Sequence, residues 1–182
     1  MLAYFEIIQK YIPPTSEAYR VYVVHVSLVT HLALKIARSQ GLSTKQLEFI
    51  EEAAMLHDIG IIRTNSPSMH CYGDQPYLAH LIEGKNILNN EGLPLHARVA
   101  SNHVGVGGLS KNEIIKQNLP LPHEDILCES IEEKIISYAD LWYSKNPQKL
   151  WQKATREGLK SKLKKRPSSL SRFNEWYVTF GE

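Results

Sequence analysis

Apolar residues recur along this chain every three to four positions, which is the spacing of one face of an α-helix. One clear example is the face formed by His25, Leu28, Leu32 and Ile36. No stretch between turn signals alternates apolar and polar residues with the period of two that a half-buried strand requires. The pattern therefore predicts an all-α protein. On the same helical spacing we assign three tryptophans to the core: Trp142, Trp151 and Trp176.

Proline, glycine and capping residues divide this pattern into separate helices. We predict helices over residues 4–11, from 15 or 16 to 38, from 43 or 44 to 57, and over 77–90, 94–103, 110–118 and 168–180. Ser130 begins a capping box that opens a further helix, which carries Asp140. Pro147 marks the start of a basic helix that ends before Pro167. Residues 64–76 are rich in Ser, Pro, Asn and Gly, so we predict a loop there.

The length of 182 residues predicts a single domain over 1–182, with a core over about 16–146 and C-terminal basic helices at 147–182 packed on it. Hydrophobic residues make up 43% and charged residues 22%, which is ordinary for a soluble globular protein. We find no signal peptide pattern and no apolar run that approaches a membrane span, so we expect a cytoplasmic protein without a membrane partner. Two cysteines are too few for a disulfide framework.

The small net charge of +2 conceals a basic C-terminal stretch. Ten Lys or Arg residues lie between Lys145 and Arg172, and Glu157 is the single acidic residue among them. Such a stretch could attract phosphates or nucleic acid. We favour instead a solvated amphipathic helix whose apolar positions dock on the body of the protein, so nucleic acid is the less favoured partner.

Side chains that can bind a metal ion recur in mostly apolar stretches: His25, His57, Asp58, His80, His103 and Asp140. An imidazole or a carboxylate is costly to bury unless something compensates it, and one metal site would compensate all of them. Adjacent residues lie about 100° apart around a helix, so His57 and Asp58 can approach one ion only near a helix end, which Gly60 supplies. Mixed nitrogen and oxygen ligands favour Mn, Fe, Co, Ni or Zn over Ca.

This order of residues resembles the HD superfamily of metal-dependent phosphohydrolases, with His57 to Gly60 as its His-Asp-Ile-Gly motif. The segment from His80 to Leu88 is similar to the His-x-x-x-Gly-x-x-Ile-Leu segment of the dinuclear members. Small stand-alone members are similar over nearly the whole chain past Tyr19. The resemblance implies a single-domain helical bundle with an internal metal site. It also implies two sets of ligands, one metal held by His25, His57, Asp58 and Asp140, and a second held by His80 and His103 and bridged by Asp58.

The resemblance further implies a metal-dependent phosphohydrolase that cleaves a phosphoester of a nucleotide or small phosphorylated metabolite through a metal-activated hydroxide. The cofactor would be a divalent transition metal, with two ions of Fe, Mn, Co, Ni or Zn, and Mg left open. The partner would be a small phosphorylated substrate, a nucleotide above all, and homo-oligomerisation is left open. Two rival functions remain: a diiron oxygenase on the same fold, and a non-catalytic nucleotide- or RNA-binding module.

Three positions refine the expected catalytic set, in which Asp58 bridges the metals. Ile61 stands where relatives that cleave cyclic dinucleotides carry a lysine, which argues against cyclic-di-GMP cleavage. Arg63 could contact phosphate in place of that lysine, because its planar fork matches phosphate oxygens. Lys85 follows His80 by about a turn and a half and is a second candidate for a phosphate contact, against the default of a solvated lysine.

Overall fold

The computed structural model describes residues 2–181, and the helices found there confirm the prediction of an all-α protein. The α-helices are α1 Tyr4–Tyr11, α2 Glu17–Ser39, α3 Thr44–Leu56, α4 His80–Asn90, α5 Pro94–Asn102, α6 Lys111–Lys116, α7 Ile131–Asp140, α8 Arg156–Leu163 and α9 Pro167–Phe180. Two antiparallel pairs of two-residue strands accompany them: β1 Asn65–Ser66 with β2 Cys71–Tyr72, and β3 Gly108–Leu109 with β4 Ile126–Leu127.

Helix α2 packs against α3 and α7 and forms the centre of the bundle. The apolar faces of these three helices meet the C-terminal helices α8 and α9 in one buried cluster. Its members include Leu32, Ile50, Ile136, Leu159, Phe173 and Trp176. Full burial of a large apolar side chain contributes about 1.5–3 kcal/mol. The same kind of contact therefore holds α8 and α9 to the bundle and holds the central helices together.

A second buried cluster joins α1, the first half of α2, the end of α3 and helices α4 and α5. Its members include Ile8, Tyr22, Leu56, Leu88 and Ala100. The 3-10 segment Ile59–Arg63 follows α3 after two residues and packs on α4. The two intervening residues, His57 and Asp58, are thereby held between α3 and α4 and are buried.

Buried polar contacts fix α7 against α5. Glu133 accepts a hydrogen bond from the backbone N–H of Ser130 at 3.2 Å, as the predicted capping box requires, and it pairs with Arg98 of α5 at 3.0 Å. One helical turn further on, the Ser137 hydroxyl donates to the carbonyl oxygen of His103 at 3.0 Å. The end of α5 is therefore held in register with the middle of α7.

The predicted loop over residues 64–76 contains the β1–β2 pair and a 3-10 turn at Pro67–Met69. The Thr64 hydroxyl is buried and donates to the carbonyl oxygen of Ile61 at 2.8 Å, which fastens the start of the loop to the preceding turn. The predicted helix over 77–90 consists of a 3-10 turn, Tyr77–Ala79, followed by α4. His80 is consequently the first residue of a helix.

The assignment of Trp151 to the core was wrong, because its exposed fraction is 71%, whereas Trp142 and Trp176 are buried. No helix runs on from Pro147; a 3-10 turn, Pro147–Lys149, is followed by a turn, and α8 begins only at Arg156. The chain doubles back here, since the N–H of Ala154 donates to the carbonyl oxygen of Trp142 at 2.8 Å. Trp151 lies within this reversal and is exposed to solvent.

By length and composition alone, helix α2 is long and apolar enough to cross a membrane, in contrast to the prediction that no apolar run approaches such a span. The core helix of a bundle passes the same test, and 56% of the relevant window is buried inside the protein. The packing of α2 against α3 and α7 accounts for its apolar character.

The backbone of Gly60, just after the His57–Asp58 pair, lies very close to the backbone of α4, and this approach leads to a prediction. A Cβ atom on Gly60 would overlap the carbonyl oxygen of His80 and the backbone nitrogen of Gly84, neither of which can move like a flexible side chain. We expect Gly60→Ala to lower the free energy of unfolding by about 3 kcal/mol, at the upper end of usual overpacking costs. Denaturant unfolding would measure this loss.

Gly41→Ala is the matched control, because a Cβ there meets open space and only the left-handed backbone, with φ of 71°, opposes it. That strain costs about 1 kcal/mol. Equal losses of stability in the two variants would contradict the packing argument for Gly60.

Candidate metal centre

The elements of the bundle bring all the predicted metal-binding side chains to one place, mostly from helix ends. The six are His25 in α2, His57 and Asp58 directly after α3, His80 at the start of α4, His103 directly after α5, and Asp140 at the end of α7. Five of them are almost completely buried, with exposed fractions of at most 3% for the side chains, and Asp140 is 17% exposed. The cluster is thus closed on most sides.

Asp58 lies in the middle of this cluster. Its Oδ2 atom is 3.5 Å from Nε2 of His25 and 3.9 Å from Nε2 of His57. Its Oδ1 atom is 3.5 Å from Nε2 of both His80 and His103, and these two nitrogens are 3.4 Å apart. The two carboxylate oxygens therefore face different pairs of imidazoles.

Asp140 completes the first of these groups. Its Oδ1 atom is 3.0 Å from Nε2 of His25 and 3.5 Å from Nε2 of His57. Three triads have ligand atoms that all lie within 4.8 Å of one another: His25–His57–Asp58, Asp58–His80–His103 and His57–His103–Asp140. Because the third triad draws on both sides of Asp58, the cluster is continuous and could hold a metal ion.

Unsatisfied polar atoms show that the cluster fits a metal ion. Among the described residues, buried atoms without a hydrogen-bond partner include Nδ1 and Nε2 of His25, Nε2 of His57, Oδ1 of Asp58 and Oδ1 of Asp140. An unpaired buried donor or acceptor costs about 1–3 kcal/mol. A divalent cation would provide the missing partner for the atoms that converge, and three or more nitrogen and oxygen ligands suit a transition metal.

The backbone orients three of the imidazoles. Nδ1 of His57 lies 2.7 Å from the carbonyl oxygen of Ala54, and Nδ1 of His103 lies 2.9 Å from that of Ala100. In the same way Nδ1 of His80 lies 2.6 Å from the carbonyl oxygen of Tyr77. Because a carbonyl oxygen only accepts, each Nδ1 carries the proton, and each Nε2 presents its lone pair to the cluster, as metal-binding histidines require.

Burial and charge set the protonation of the cluster. Burial lowers the pKa of His25, and it lowers the pKa of His80 to about 4, so both imidazoles are neutral near pH 7. Burial alone would raise the pKa of the Asp58 carboxyl, but its polar surroundings, foremost the positive charge of Lys145, outweigh burial and hold that pKa well below its usual range. For His57, burial is outweighed by the negative charge of Asp58, and its pKa is raised.

Lys145 belongs to this site, although the sequence predicted that it lies in a solvated basic stretch. Its Nζ atom is 2.9 Å from Oδ2 of Asp58 and 3.7 Å from Oδ1 of Asp140. Burial would lower the pKa of this ammonium group, but Asp140 and Asp58 outweigh it and raise the pKa well above its usual value. The chain reversal after α7 returns Lys145 to the carboxylates, and its position five residues after Asp140 was the only sequence signal.

The cluster opens to solvent at Asp140 and Lys145, whose side chains are 17% and 14% exposed. A cavity of about 550 Å³ begins there, with Tyr77 on the same wall. A second void, lined by His25, Asp58 and Lys145, encloses only about 10 Å³. Of these two spaces, only the cavity at Asp140 is large enough for a small-molecule ligand.

The structure does not bring Arg63 and Lys85 to the cluster. Arg63 is exposed, and its charge acts on the Tyr11 phenol, whose pKa is raised chiefly by a hydrogen bond to Glu91 and lowered in part by Arg63. Lys85 lies 3.9 Å from Glu124 and lines a different cavity. Neither residue lines the cavity at Asp140. A phosphate contact by either one stays a prediction to which these positions lend no support.

Comparisons with known proteins agree with the sequence resemblance. The family model of the HD domain matches residues 22–141, which include every one of the six clustered side chains and end before Lys145, so the predicted relationship is confirmed. Two structures of the HD domain of the L. monocytogenes phosphodiesterase PgpH, one in complex with cyclic-di-AMP, match 98% of this chain and 88% of that domain. Their TM-scores are 0.53 and 0.55 at 17% and 16% identity, which shows a shared fold.

Curated relatives match over shorter segments. A tRNA (cytidine(56)-2′-O)-methyltransferase of Thermoplasma volcanium is 29% identical over 64% of this chain, and its counterpart in Picrophilus torridus is 31% identical over the same share. The match spans about 30% of the length of these two relatives. An uncharacterized protein of Methanocaldococcus jannaschii is 31% identical over 65% of this chain and 63% of its own length.

The central position of Asp58 leads to a prediction about metal content. Asp58→Asn keeps the shape of the side chain but removes the charge that faces four imidazoles, so we expect the variant to fold and to bind no stoichiometric metal. Elemental analysis after equilibration with Mn²⁺ and gel filtration would measure this. Asp74→Asn, at an exposed carboxylate, is the control and should retain wild-type content. Wild-type metal content in Asp58→Asn would contradict the assignment.

Proposed function

The chain belongs to the HD domain family, and from this we propose that it is a metal-dependent phosphohydrolase acting on a nucleotide or a small phosphorylated metabolite. The observation that carries the proposal is the buried cluster of four imidazoles and two carboxylates, which meets a cavity at Asp140. This geometry combines a site for cations with access for a small ligand. Both are needed for metal-assisted hydrolysis of a phosphoester.

We propose two ions, with Asp58 shared between them. The support lies in the two carboxylate oxygens of Asp58, of which Oδ2 faces His25 and His57 while Oδ1 faces His80 and His103. Divalent ions bound there would supply Lewis acidity, which lowers the pKa of water and neutralises phosphoryl oxygens. The Nδ1 contacts to backbone carbonyls keep the imidazoles in position and in the tautomer that binds cations.

Lys145 has a separate role in this proposal. Its ammonium group lies where the cluster meets the cavity, and it provides a positive charge there in addition to that of any bound metal ion. An incoming phosphate provides a negative partner for that charge, beside carboxylates that would otherwise repel it. Tyr77, which interacts with Lys145 and lines the same wall, restricts the directions from which a phosphate can approach.

The two cysteines give no support to a thiol nucleophile. Burial raises the pKa of Cys71 to about 11 and that of Cys128 to about 12, so both remain protonated near pH 7. A thiol attacks efficiently only as its thiolate. Hydrolysis by activated water at the cluster is therefore favoured over a covalent thiol mechanism.

The proposed function is tested with a panel of phosphoesters in the presence of Mn²⁺, Co²⁺, Ni²⁺, Fe²⁺ or Mg²⁺. The panel contains mononucleotides, sugar phosphates and cyclic-di-AMP, the last because it is bound by the PgpH domain. We expect metal-dependent release of phosphate or nucleotide by the wild type and none by Asp58→Asn. A protein that binds metal but turns over no member would contradict the proposal, and oxygen consumption by an iron-loaded form would support the rival oxygenase function.

The number of ions gives a further prediction. His80→Ala and His103→Ala each remove one of the two imidazoles at Oδ1 of Asp58, so we expect each to lower metal stoichiometry from about two to one while the ion near His25 remains. Elemental analysis and isothermal titration with Mn²⁺ would measure this. His96→Ala is the control, because His96 is also buried but lies beside Glu52 outside the cluster. Unchanged stoichiometry in both cluster variants would refute the shared arrangement.

A further inference from the structure

The cavity at the metal centre extends well beyond the clustered side chains. Asp140, Lys145 and Tyr77 line the part beside the cluster, and we call the part lined by Lys149, Lys153 and Lys162 its far end. The volume of about 550 Å³ lies in the range of roughly 300–1,000 Å³ found for small-molecule sites. A single phosphate at Asp140 would occupy only the part beside the cluster.

The charge of the cavity is strongly positive. Four lysines line it, namely Lys145, Lys149, Lys153 and Lys162, whereas Asp140 is the single carboxylate of its lining. Within residues 2–181 the side chains of Lys149 and Lys162 form no ion pair, and both are exposed. Like charges around one cavity repel each other, and a bound anion converts this repulsion into attraction.

The far wall is held by backbone contacts and by buried side chains, so its lysines are not part of a loose tail. Tyr143 and Lys153 form an antiparallel bridge, and Lys153 Nζ lies 4.9 Å from the ring centre of the buried Trp142. The Thr155 hydroxyl accepts a hydrogen bond from the N–H of Gly158 and caps α8. Lys162 follows Gly158 by four residues and therefore lies on the same face of α8.

A second cavity of similar size differs from this one in the charge of its lining. The second one, of about 590 Å³, is lined by three glutamates together with Lys45 and Arg98. Arg98 is already paired there with Glu133 and Glu129. The cavity at Asp140, by contrast, combines an excess of lysines with access to the clustered side chains.

We propose that the lysine-lined end of this cavity binds a second phosphate group of the substrate. This inference rests on the proposed function, and it narrows the substrate class to compounds with two separated phosphates, such as nucleoside bisphosphates. One phosphate lies at the clustered His and Asp side chains beside Lys145. The other lies at the far end and is bound by Lys149 and Lys162.

The test compares binding of adenosine 3′,5′-bisphosphate and of AMP to the Mn²⁺-loaded protein by isothermal titration. The double variant Lys149→Ala/Lys162→Ala should weaken bisphosphate binding about ten- to a hundredfold, because charge-assisted hydrogen bonds to one phosphate are lost. AMP binding should change less than about threefold, within the small effect of distant surface charges. The control Lys164→Ala/Lys165→Ala removes the same charge from exposed lysines outside the cavity lining and should leave both ligands unaffected.

The outcomes separate the subsite from the catalytic function. Selective loss of bisphosphate binding supports the subsite even where no compound of the phosphoester panel is hydrolysed. Hydrolysis of the panel with bisphosphate binding that is insensitive to Lys149 and Lys162 overturns the subsite and leaves the function intact. Equal losses for AMP and bisphosphate, or equal losses in the control, overturn it as well. Weaker binding of bulk tRNA without any change for the bisphosphate would assign these lysines to a nucleic-acid surface instead.

Discussion

The buried charge of Asp58 is the constraint on which the rest of the site depends. A carboxylate removed from water loses several kcal/mol of solvation unless its surroundings replace it. Here the ammonium group of Lys145 replaces part of it, and the four imidazoles within 3.9 Å of the two oxygens would supply the rest through a shared cation. Each of these groups comes from a different part of the chain. The bundle must therefore bring five separate segments to one point before the charge is compensated.

Helix ends make this convergence feasible. The last carbonyl groups of a helix lack partners within the helix, so a histidine that follows can donate its Nδ1–H to one of them. His57 and His103 do this at the ends of α3 and α5, and His80 does it after a 3-10 turn. The same hydrogen bond that satisfies a helix carbonyl therefore also directs Nε2 of the histidine toward Asp58. Asp58 itself lies in a segment that packs closely against α4 because Gly60 has no side chain.

The C-terminal stretch contributes both to the packing of the bundle and to the wall of the cavity. Its apolar side chains, such as Leu159 and Phe173, are buried with those of α2, α3 and α7, in agreement with the amphipathic helix that the sequence suggested. Its lysines extend the wall of the cavity from the metal centre outward. The solvated face that the sequence suggested is consequently split, because Lys145 is drawn into the site while residues such as Lys164 remain exposed.

The sequence by itself determined the helical class, most helix boundaries and the six side chains that cluster. Apolar periodicity, capping residues such as Ser130, and the cost of burying His and Asp are local properties of the chain. The sequence could not place Lys145 or Trp151, nor show that Arg63 and Lys85 lie outside the cavity at Asp140. Those positions depend on the chain reversal after α7 and on long-range packing. The position of a side chain relative to the cluster is set by contacts between segments that are distant in sequence, and only the tertiary structure shows those contacts.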